Sequence, residues 1–231
     1  MLRFWRYTPR WSVPLMLTIG LAGCAGQTPV QQAVRSLPER VELTGVPAFP
    51  ESAFWGAPSA VSSLLAQQGV VTSPGLVAKQ LQLPEQESQL QENIVKKVNS
   101  HGLLVYPLAP DLPALLKQVA AGYPVLLRFN QGYGWLNLPR YAVLIGYDRK
   151  EQILLLRSGS EKRWETSFSS FQSAWQSAGS WAVLVLAPVQ LPVAVDAPRW
   201  LQAADELQNS GQLTAANNAR KILQRQSTLA Q

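Results

Sequence analysis

The side chains that most often perform covalent chemistry in proteins are scarce in this sequence. Its 231 residues include one cysteine, Cys24, and one histidine, His101, which lie far apart in the chain. A metal site normally takes several His, Cys or carboxylate ligands. We therefore expect no metal and no cofactor. With a single cysteine, an internal disulfide is also impossible.

Cys24 stands at the end of a segment that has the form of an export signal. Three arginines give a basic start, residues 12–19 are apolar, and Leu-Ala-Gly precedes Cys24. The apolar stretch is shorter than the roughly 20 residues of a membrane-spanning helix. The segment resembles a bacterial lipoprotein signal, which implies removal of residues 1–23 and acylation of Cys24, with palmitate among the acyl chains. An uncleaved N-terminal anchor and an ordinary secretory signal are the alternatives.

The residue after Cys24 and the overall charge bear on the compartment and the partners. Ala25 follows the cysteine, and by resemblance to Gram-negative lipoproteins the absence of Asp there implies the outer membrane, facing the periplasm. The formal charge of +6 becomes +3 without the three arginines of residues 1–23. A charge this small argues against nucleic acid as a partner. Residues 24–41, rich in Gln and polar, are interpreted as a tether.

Apolar periodicity and turn residues divide the rest into helices followed mainly by strands. Apolar residues at helical spacing, with Pro, Ser or Asp at the start and mostly Gly at the end, predict helices near residues 58–69, 74–81, 88–102, 111–122 and 168–179. Short β-branched or leucine-rich runs predict strands at 124–129, 141–147, 153–157 and 181–186. The turn at 148–151 predicts antiparallel pairing. This order indicates an α+β domain with a mostly antiparallel sheet.

Two further helices are predicted after a proline-bearing connection at residues 188–198. Trp200 and Leu207 mark the first helix, Gly211 the turn, and Ala216 and Ile222 the second. The pair resembles one tetratricopeptide repeat, which cannot bury its apolar face alone and must dock on the main domain or on a partner. The expected division is a signal at 1–23, a tether at 24–41, a domain at 42–188 and a linker with this helical hairpin at 189–231.

Four short blocks in the 42–188 domain resemble a known family in their order and spacing. They are Val46-Pro47, Trp55-Gly56-Ala57-Pro58-Ser59-Ala60-Val61, Gly122-Tyr123-Pro124-Val125 and Tyr141-Ala142-Val143-Leu144-Ile145-Gly146-Tyr147-Asp148. This series resembles the papain-like cysteine peptidases related to bacteriocin-leader peptidases, peptidase family C39. The resemblance implies a papain-like fold, in which helices pack on the sheet and the nucleophile lies at a helix N-terminus.

The family's catalytic positions are occupied by other residues here. Where the family has Gln-Cys-Gly-Pro, this chain has Trp55, Gly56, Ala57 and Pro58, or Trp55 itself faces the Cys position if the register is shifted. Where the family has its general base His, the aligned residue is Arg140, whose guanidinium stays protonated and cannot accept a proton. The position that orients the base falls at Ser158 and its neighbours, without a clear Asp or Asn. The resemblance therefore implies a fold that has lost its cysteine chemistry.

Other residues offer weaker routes to catalysis. His101 precedes the glycine that ends a helix, where a cationic His is common, and we favour that structural role over a relocated base. Ser59 and Ser158 have no imidazole partner in sequence, and Lys162 stands in no motif that would activate a serine. Glu161 and Glu165 form a conceivable carboxylate pair, but neighbouring acids on a polar connection are usually only solvated.

These expectations favour a catalytically inactive peptidase relative that binds a peptide or an envelope protein. The candidate binding groove consists of Trp55, Tyr133, Trp135 and Arg140, although these aromatics could instead close the core. One alternative is a peptide hydrolase that uses a non-cysteine nucleophile or a nucleophile from a partner subunit. Another is a structural subunit of an envelope complex.

Overall fold

One sheet of seven strands organises the protein. The computed structural model describes residues 33–50, 54, 56–133, 136–158 and 161–229. The strands are β1 (Arg40–Glu42), β2 (Leu104–Pro107), β3 (Val125–Tyr133), β4 (Leu136–Asp148), β5 (Ile153–Ser158), β6 (Glu161–Ser167) and β7 (Ala182–Leu186). Their order in the sheet is β2-β7-β3-β4-β5-β6, and β1 pairs with β4. All the pairings between these described strands are antiparallel, as the sequence predicts.

Helices cover both faces of this sheet. They are α1 (Ala57–Gln67), α2 (Pro74–Gln80), α3 (Leu90–Asn99), α4 (Leu112–Ala120), α5 (Phe168–Ser177), α6 (Ala197–Asn209) and α7 (Leu213–Leu229). The helices α1, α2 and α3 share one buried apolar cluster with Tyr141, Val143 and Ile145 of β4. The helices α4 to α7 share the other cluster with Ala142 and Leu144. Consecutive side chains of a strand point to opposite faces, so β4 contributes alternately to the two cores.

Side-chain caps explain where several helices begin. Asp111 accepts a hydrogen bond from the backbone N–H of Ala114 at 2.8 Å, and Asp196 accepts one from Arg199 at 3.0 Å. Each cap satisfies a backbone donor that the first helical turn leaves unpaired. The helix predicted from residue 88 begins two residues later, because a short 3₁₀ helix occupies Glu87–Gln89 and α3 starts at Leu90.

The end of the expected tether is part of the folded body. Val34 is only 3% exposed and belongs to the cluster under α4 to α7. Arg40 and Val41 pair with Asp148 and Tyr147 of β4, two residues before the expected boundary at Glu42. Residues that precede the expected start of the main domain are therefore already part of the sheet and its core. Within the described residues, no helix is both long enough and apolar enough to cross a membrane.

The C-terminal helical hairpin docks on the main domain, one of the two possibilities left open by the sequence. Trp200 of α6 is fully buried in the same cluster as Leu104 of β2, and its Nε1 donates to the carbonyl of Ala219 in α7 at 2.7 Å. The backbone N–H of Asp196 donates to Tyr106 Oη at 2.9 Å. One indole thus joins both helices of the hairpin to the edge of the sheet.

Two segments predicted to be connections are strands instead. Residues 130–133 and 136–140 extend the β3–β4 hairpin, and β6 pairs with β5 through the polar segment Glu161–Ser167. Among the described strands, β6 is the last of the sheet and pairs only with β5. Charged residues are common on such edges because they discourage pairing with other chains, which is why its composition resembled a loop.

Candidate functional site

The start of α1 is the place where the family resemblance expects a nucleophile. Gly56 is the N-cap of α1 with φ of 77°, and Phe54 also has a positive φ of 65°. Glycine adopts this left-handed conformation without steric cost, whereas Phe54 does so at a cost of about 1 kcal/mol. Ala57, the first helical residue, is fully buried against the sheet. Trp55 lies outside the described residues.

The residue of β4 that faces α1 is Tyr141, not Arg140. Tyr141 is 3% exposed and belongs to the same apolar cluster as Ala57. Arg140 lies opposite Phe129 in the β3–β4 pairing and lines a groove with Phe129 and Phe171 on the other face of the sheet. A shift of one residue along a strand exchanges the two faces. This placement corrects the expectation that Arg140 stands beside the start of α1.

The position on β5 that would orient a base is also changed. Arg157 lies directly opposite Val143, so it shares the face of Tyr141 and α1. Its Nε donates to the carbonyl of Lys162 at 3.1 Å, and burial lowers the pKa of Arg157 from its usual value. Ser158 Oγ donates to the backbone carbonyl of Tyr141 at 3.4 Å. Ser158 is thus a neighbour of Tyr141 but is bonded to its main chain.

The start of α1 and the strand positions on its side of the sheet therefore hold a glycine, a phenol and a guanidinium. Gly56 offers no nucleophile, and the guanidinium of Arg157 has no acceptor with which to take up a proton. Cys24 precedes the described residues, and His101 follows α3. Sequence reasoning missed Tyr141 and Arg157 as the residues of this face. The alternation of Tyr141, Val143 and Ile145 on β4 was the signal that could have grouped Tyr141 with the α1 face.

His101 lies in the turn after α3. Its backbone N–H donates to the carbonyl of Val98 at 3.0 Å, and its side chain is exposed. Partial burial and the neighbouring Lys97 lower the pKa of His101 below its usual value. His101 therefore lies at the end of α3, where the sequence places it, in an environment that favours the neutral imidazole.

The alternative catalytic groups have other roles or lie apart. Ser59 Oγ donates to the carbonyl of Pro50 at 2.6 Å. Glu161 and Glu165 are four residues apart on β6, which separates them by about 13 Å along the strand. This is wider than the carboxylate spacing of glycosidases, and Glu165 pairs with Arg163. Among the described residues, no three His, Cys, Asp or Glu side chains are grouped as metal ligands.

A cleft of about 390 Å³ opens on the α1 face beside Tyr141. Its lining residues are Ser88, Gln89, Leu90, Gln91, Glu92, Arg128, Pro139 and Tyr141. The Tyr141 ring contacts Trp181 edge-on at 5.9 Å, and Arg128 Nη1 donates to the carbonyl of Ala178 at 3.1 Å. The cleft thus has a fixed wall on β3 and β4 and a polar rim at the start of α3.

The four residues of the expected groove do not form one described surface. Trp55 and Trp135 lie outside the described residues, and Tyr133 is described only as backbone within β3. Arg140 is half-buried on the face away from α1. The structure thus brings Tyr141 to the cleft on the α1 face, whereas Arg140 lies in a separate groove.

Comparisons with known proteins identify the fold. No family model and no curated protein matches this sequence. A crystal structure from Bacillus anthracis, described as a C39-like peptidase, shares 17% sequence identity with a TM-score of 0.51, over 64% of this chain and 98% of that chain. The peptidase domain of Streptococcus ComA, a bi-functional ABC transporter involved in a quorum-sensing pathway, shares 19% identity with a TM-score of 0.50, over 61% of this chain and 98% of that domain.

A third solved structure is xylellain, a cysteine protease from Xylella fastidiosa, with 10% identity and a TM-score of 0.49 over 69% of this chain and 90% of that one. At the identities of the first two structures, the likeness concerns the fold. The mixed helix and sheet architecture and the first two solved structures agree with the expected fold class. The protein therefore has the papain-like fold of C39-like peptidases.

Proposed function

We propose that this protein is a C39-like peptidase relative without peptidase activity, which binds a peptide segment of an envelope protein in the cleft beside Tyr141. The observation that carries the proposal is the set of residues at the old catalytic face. Cysteine peptidases need a thiolate and an imidazole held together, and the chain's only Cys and His are Cys24 and His101. The face itself offers Gly56, Tyr141 and Arg157.

The cleft has the properties of a site for extended peptide. Its rim carries the amides of Gln89 and Gln91, the Ser88 hydroxyl and the Arg128 guanidinium, all able to hydrogen-bond peptide groups. The ring of Tyr141 gives one apolar wall that packing against Trp181 holds in place. Rigid aromatic walls with a few polar groups are typical of recognition sites.

We further propose that Cys24 carries the lipid anchor and that the protein faces the periplasm from the outer membrane. The support is the sequence alone: a basic start, an apolar core and Leu-Ala-Gly before Cys24, followed by Ala25. Several acyl chains would hold the protein on the membrane, because each buried methylene contributes about 0.8 kcal/mol. Mass analysis of the mature N-terminus tests this, and an unmodified Cys24 would contradict it.

Catalysis and binding can be tested on the same protein. The full-length chain, purified in mild detergent, would be incubated with a casein digest and analysed by mass spectrometry and hydrogen exchange. We expect no new peptide termini, and slower exchange at residues 88–92 and 139–141. Cleavage that disappears in Ser59→Ala or Ser158→Ala would instead establish a peptidase.

A matched pair of substitutions tests the cleft itself. Gln91→Trp places a bulky side chain in the rim, and we expect it to abolish the exchange protection. Gln80→Trp puts the same side chain on an exposed position of α2 and should leave protection unchanged. Equal protection in both variants would show that peptide binds elsewhere.

A further inference from the structure

The chain enters the folded body at one end of the sheet. The backbone N–H of Arg149, in the β4–β5 turn, donates to the carbonyl of Glu39 at 2.8 Å. The Nε of Arg149 donates to the carbonyl of Pro38 at 2.9 Å. We call this end of the sheet, at the turn formed by residues 148–153, the entry end.

Two loops bring exposed valines to the entry end. From β4 through β3 and β7 to β2, neighbouring strands run in opposite directions, so β7 ends and β2 begins there. Val189 follows the end of β7 and is 63% exposed. Val71 follows α1 and is 98% exposed. It lies three residues after Gln68, whose Nε2 donates to the carbonyl of Val185 in β7 at 3.0 Å.

The helix α7 brings a third apolar side chain to the same end. Gln212 Nε2 donates at 3.3 Å to the carbonyl of Ser100, which precedes the start of β2. Leu213, the first residue of α7, is 59% exposed. Leu229, the last residue of the helix, is 88% exposed and lies about 24 Å away along its axis. One helix thus carries an exposed leucine at the entry end and another far from it.

The three loops at the entry end are free of charged side chains. Single exposed apolar residues are ordinary on protein surfaces, but these three stand in uncharged segments. Residues 66–78, 187–195 and 207–219 contain no Asp, Glu, Lys, Arg or His. The turn at 148–151 carries two acids and two cations, so its charges balance. Contact of the three loops with an apolar medium would bury no charged side chain of their own, which would otherwise be costly.

The proposed lipid anchor is close to this end along the chain. Residue 33, the first that the structure describes, is nine residues after Cys24, and an extended chain of that length spans at most about 30 Å. Val34 is already buried in the core, four residues before Pro38. A domain of this size is itself about 40 Å across. An anchor at Cys24 would therefore hold the body within one domain width of the bilayer.

We propose that the entry end rests on the phospholipid bilayer, with Val71, Val189 and Leu213 inserted among the lipids. The inference rests on the acylation of Cys24 proposed above and adds the orientation of the body on the membrane. The cleft beside Tyr141 then faces away from the bilayer, because seven residues of β4 separate Tyr141 from the entry end by about 23 Å. A peptide segment of an envelope protein can reach the cleft in this orientation.

The experiment places one fluorescent label on the acylated full-length chain in vesicles of phosphatidylethanolamine and phosphatidylglycerol. Val71→Cys, Val189→Cys and Leu213→Cys each supply a single free thiol, because acylation occupies the thiol of Cys24. Each thiol is labelled with nitrobenzoxadiazole, whose emission is quenched by lipids that carry a nitroxide at a known depth. We expect the three labels to lie about 5–10 Å below the lipid headgroups.

Leu229→Cys is the matched control, since it labels an exposed leucine at the far end of the same helix. Its label should remain unquenched. Val71→Glu combined with Val189→Glu should remove the quenching of the label at Leu213→Cys, because carboxylates resist transfer into lipid. Leu229→Glu should leave that quenching unchanged. Unfolding midpoints of all the variants check that they are folded.

Labelling and flotation separate the anchor from the surface. A parent chain that takes up label at Cys24, or does not float with the vesicles, would remove the anchor and this inference with it. A chain that floats without quenching at positions 71, 189 and 213, or with equal quenching at 229, would overturn only the contact of the entry end. Labels that quench one another instead would assign the surface to a second copy of the chain and overturn the contact with lipid.

Discussion

Tyr141 and Arg140 are consecutive residues of β4 that face opposite sides of the sheet. Tyr141 packs with Ala57 under α1, whereas Arg140 lines the groove beside Phe129 and Phe171. The α1 face and the groove lined by Arg140 are therefore back to back, with one backbone between them. Substitutions at these adjacent positions should act on different sites.

The first prediction uses this relationship to recover a reactive thiol. In a Cys24→Ser background, Gly56→Cys places a thiol at the N-terminus of α1, where the helix dipole favours thiolate. Adding Tyr141→His should bring an imidazolium to the same face and lower the pKa of that thiol by about 1 unit or more. The rate of iodoacetamide alkylation as a function of pH measures the change.

The matched control is Gly56→Cys with Arg140→His, which puts the imidazole on the other face of the sheet. We expect its alkylation profile to match that of Gly56→Cys alone. An equal acceleration by Arg140→His would contradict the assignment of the two residues to different faces.

The second prediction concerns the close approach of β1 to β4 at Gly146. A Cβ at this position would meet the Val41 carbonyl oxygen and lie 3.0 Å from Glu42 Cα. Backbone atoms cannot move aside as side chains do, so Gly146→Ala should lower the free energy of unfolding by about 1–3 kcal/mol. Urea denaturation measures the loss.

Gly75→Ala is the control for this substitution. Gly75 lies in α2, and nothing stands within 4 Å of a Cβ built on it. Because alanine favours helix over glycine, this variant should be as stable as the parent or more stable. A Gly146→Ala protein as stable as Gly75→Ala would mean that β1 is not held against β4.

The third prediction concerns the link between the domain and the helical hairpin. Gln118 is 4% exposed, and its side chain makes two hydrogen bonds to the backbone of Val193, at 2.9 and 3.0 Å. Gln118→Ala leaves both backbone groups of Val193 without these partners, which should cost about 2 kcal/mol or more. Amide hydrogen exchange at 188–198 should accelerate.

Gln202→Ala serves as the comparison. Gln202 is exposed on α6 and bonds Glu206 at 3.3 Å, a contact worth only about 0.2–0.5 kcal/mol on a helix surface. Amide hydrogen exchange in the Gln202→Ala variant should match that of the unsubstituted protein. Unchanged exchange at 188–198 in Gln118→Ala would show that the linker is fixed by other contacts.

The fourth prediction is a dependence of stability on pH through His101. Partial burial and Lys97 lower the pKa of His101 in the folded state. The unfolded chain then binds a proton at a higher pH than the folded chain, so stability falls as the pH drops through the ordinary value of about 6.5. Urea midpoints of the parent and of His101→Gln should separate below that pH, with the parent the less stable.

Lys97→Gln removes the neighbouring charge and should raise the pKa of His101, as followed by nuclear magnetic resonance of its imidazole protons. Since partial burial is the larger cause, the pKa should remain below that of an exposed histidine. A His101 pKa unchanged by Lys97→Gln would exclude the electrostatic part of this explanation.

The sequence predicts a strand well where the residue composition matches the place of that strand in the sheet. The run Ala182–Leu186 is apolar throughout because β7 lies inside the sheet with both faces covered, and the hairpin at Asp148 follows from its turn residues. β6 was missed because an edge strand can be polar. Arg140 was assigned to the wrong face because alternation divides a strand into two sets without stating which set meets α1.

The position of β7 also constrains how the polypeptide can fold as it is synthesised. β7 pairs with β2 on one side and with β3 on the other, although it follows both in the chain. Until residue 186 is available, β2 lacks its only neighbour among the described strands, and β3 lacks its partner on the β7 side. A nascent chain of this protein would therefore carry unpaired strand edges late in synthesis, the state in which chaperones most often intervene.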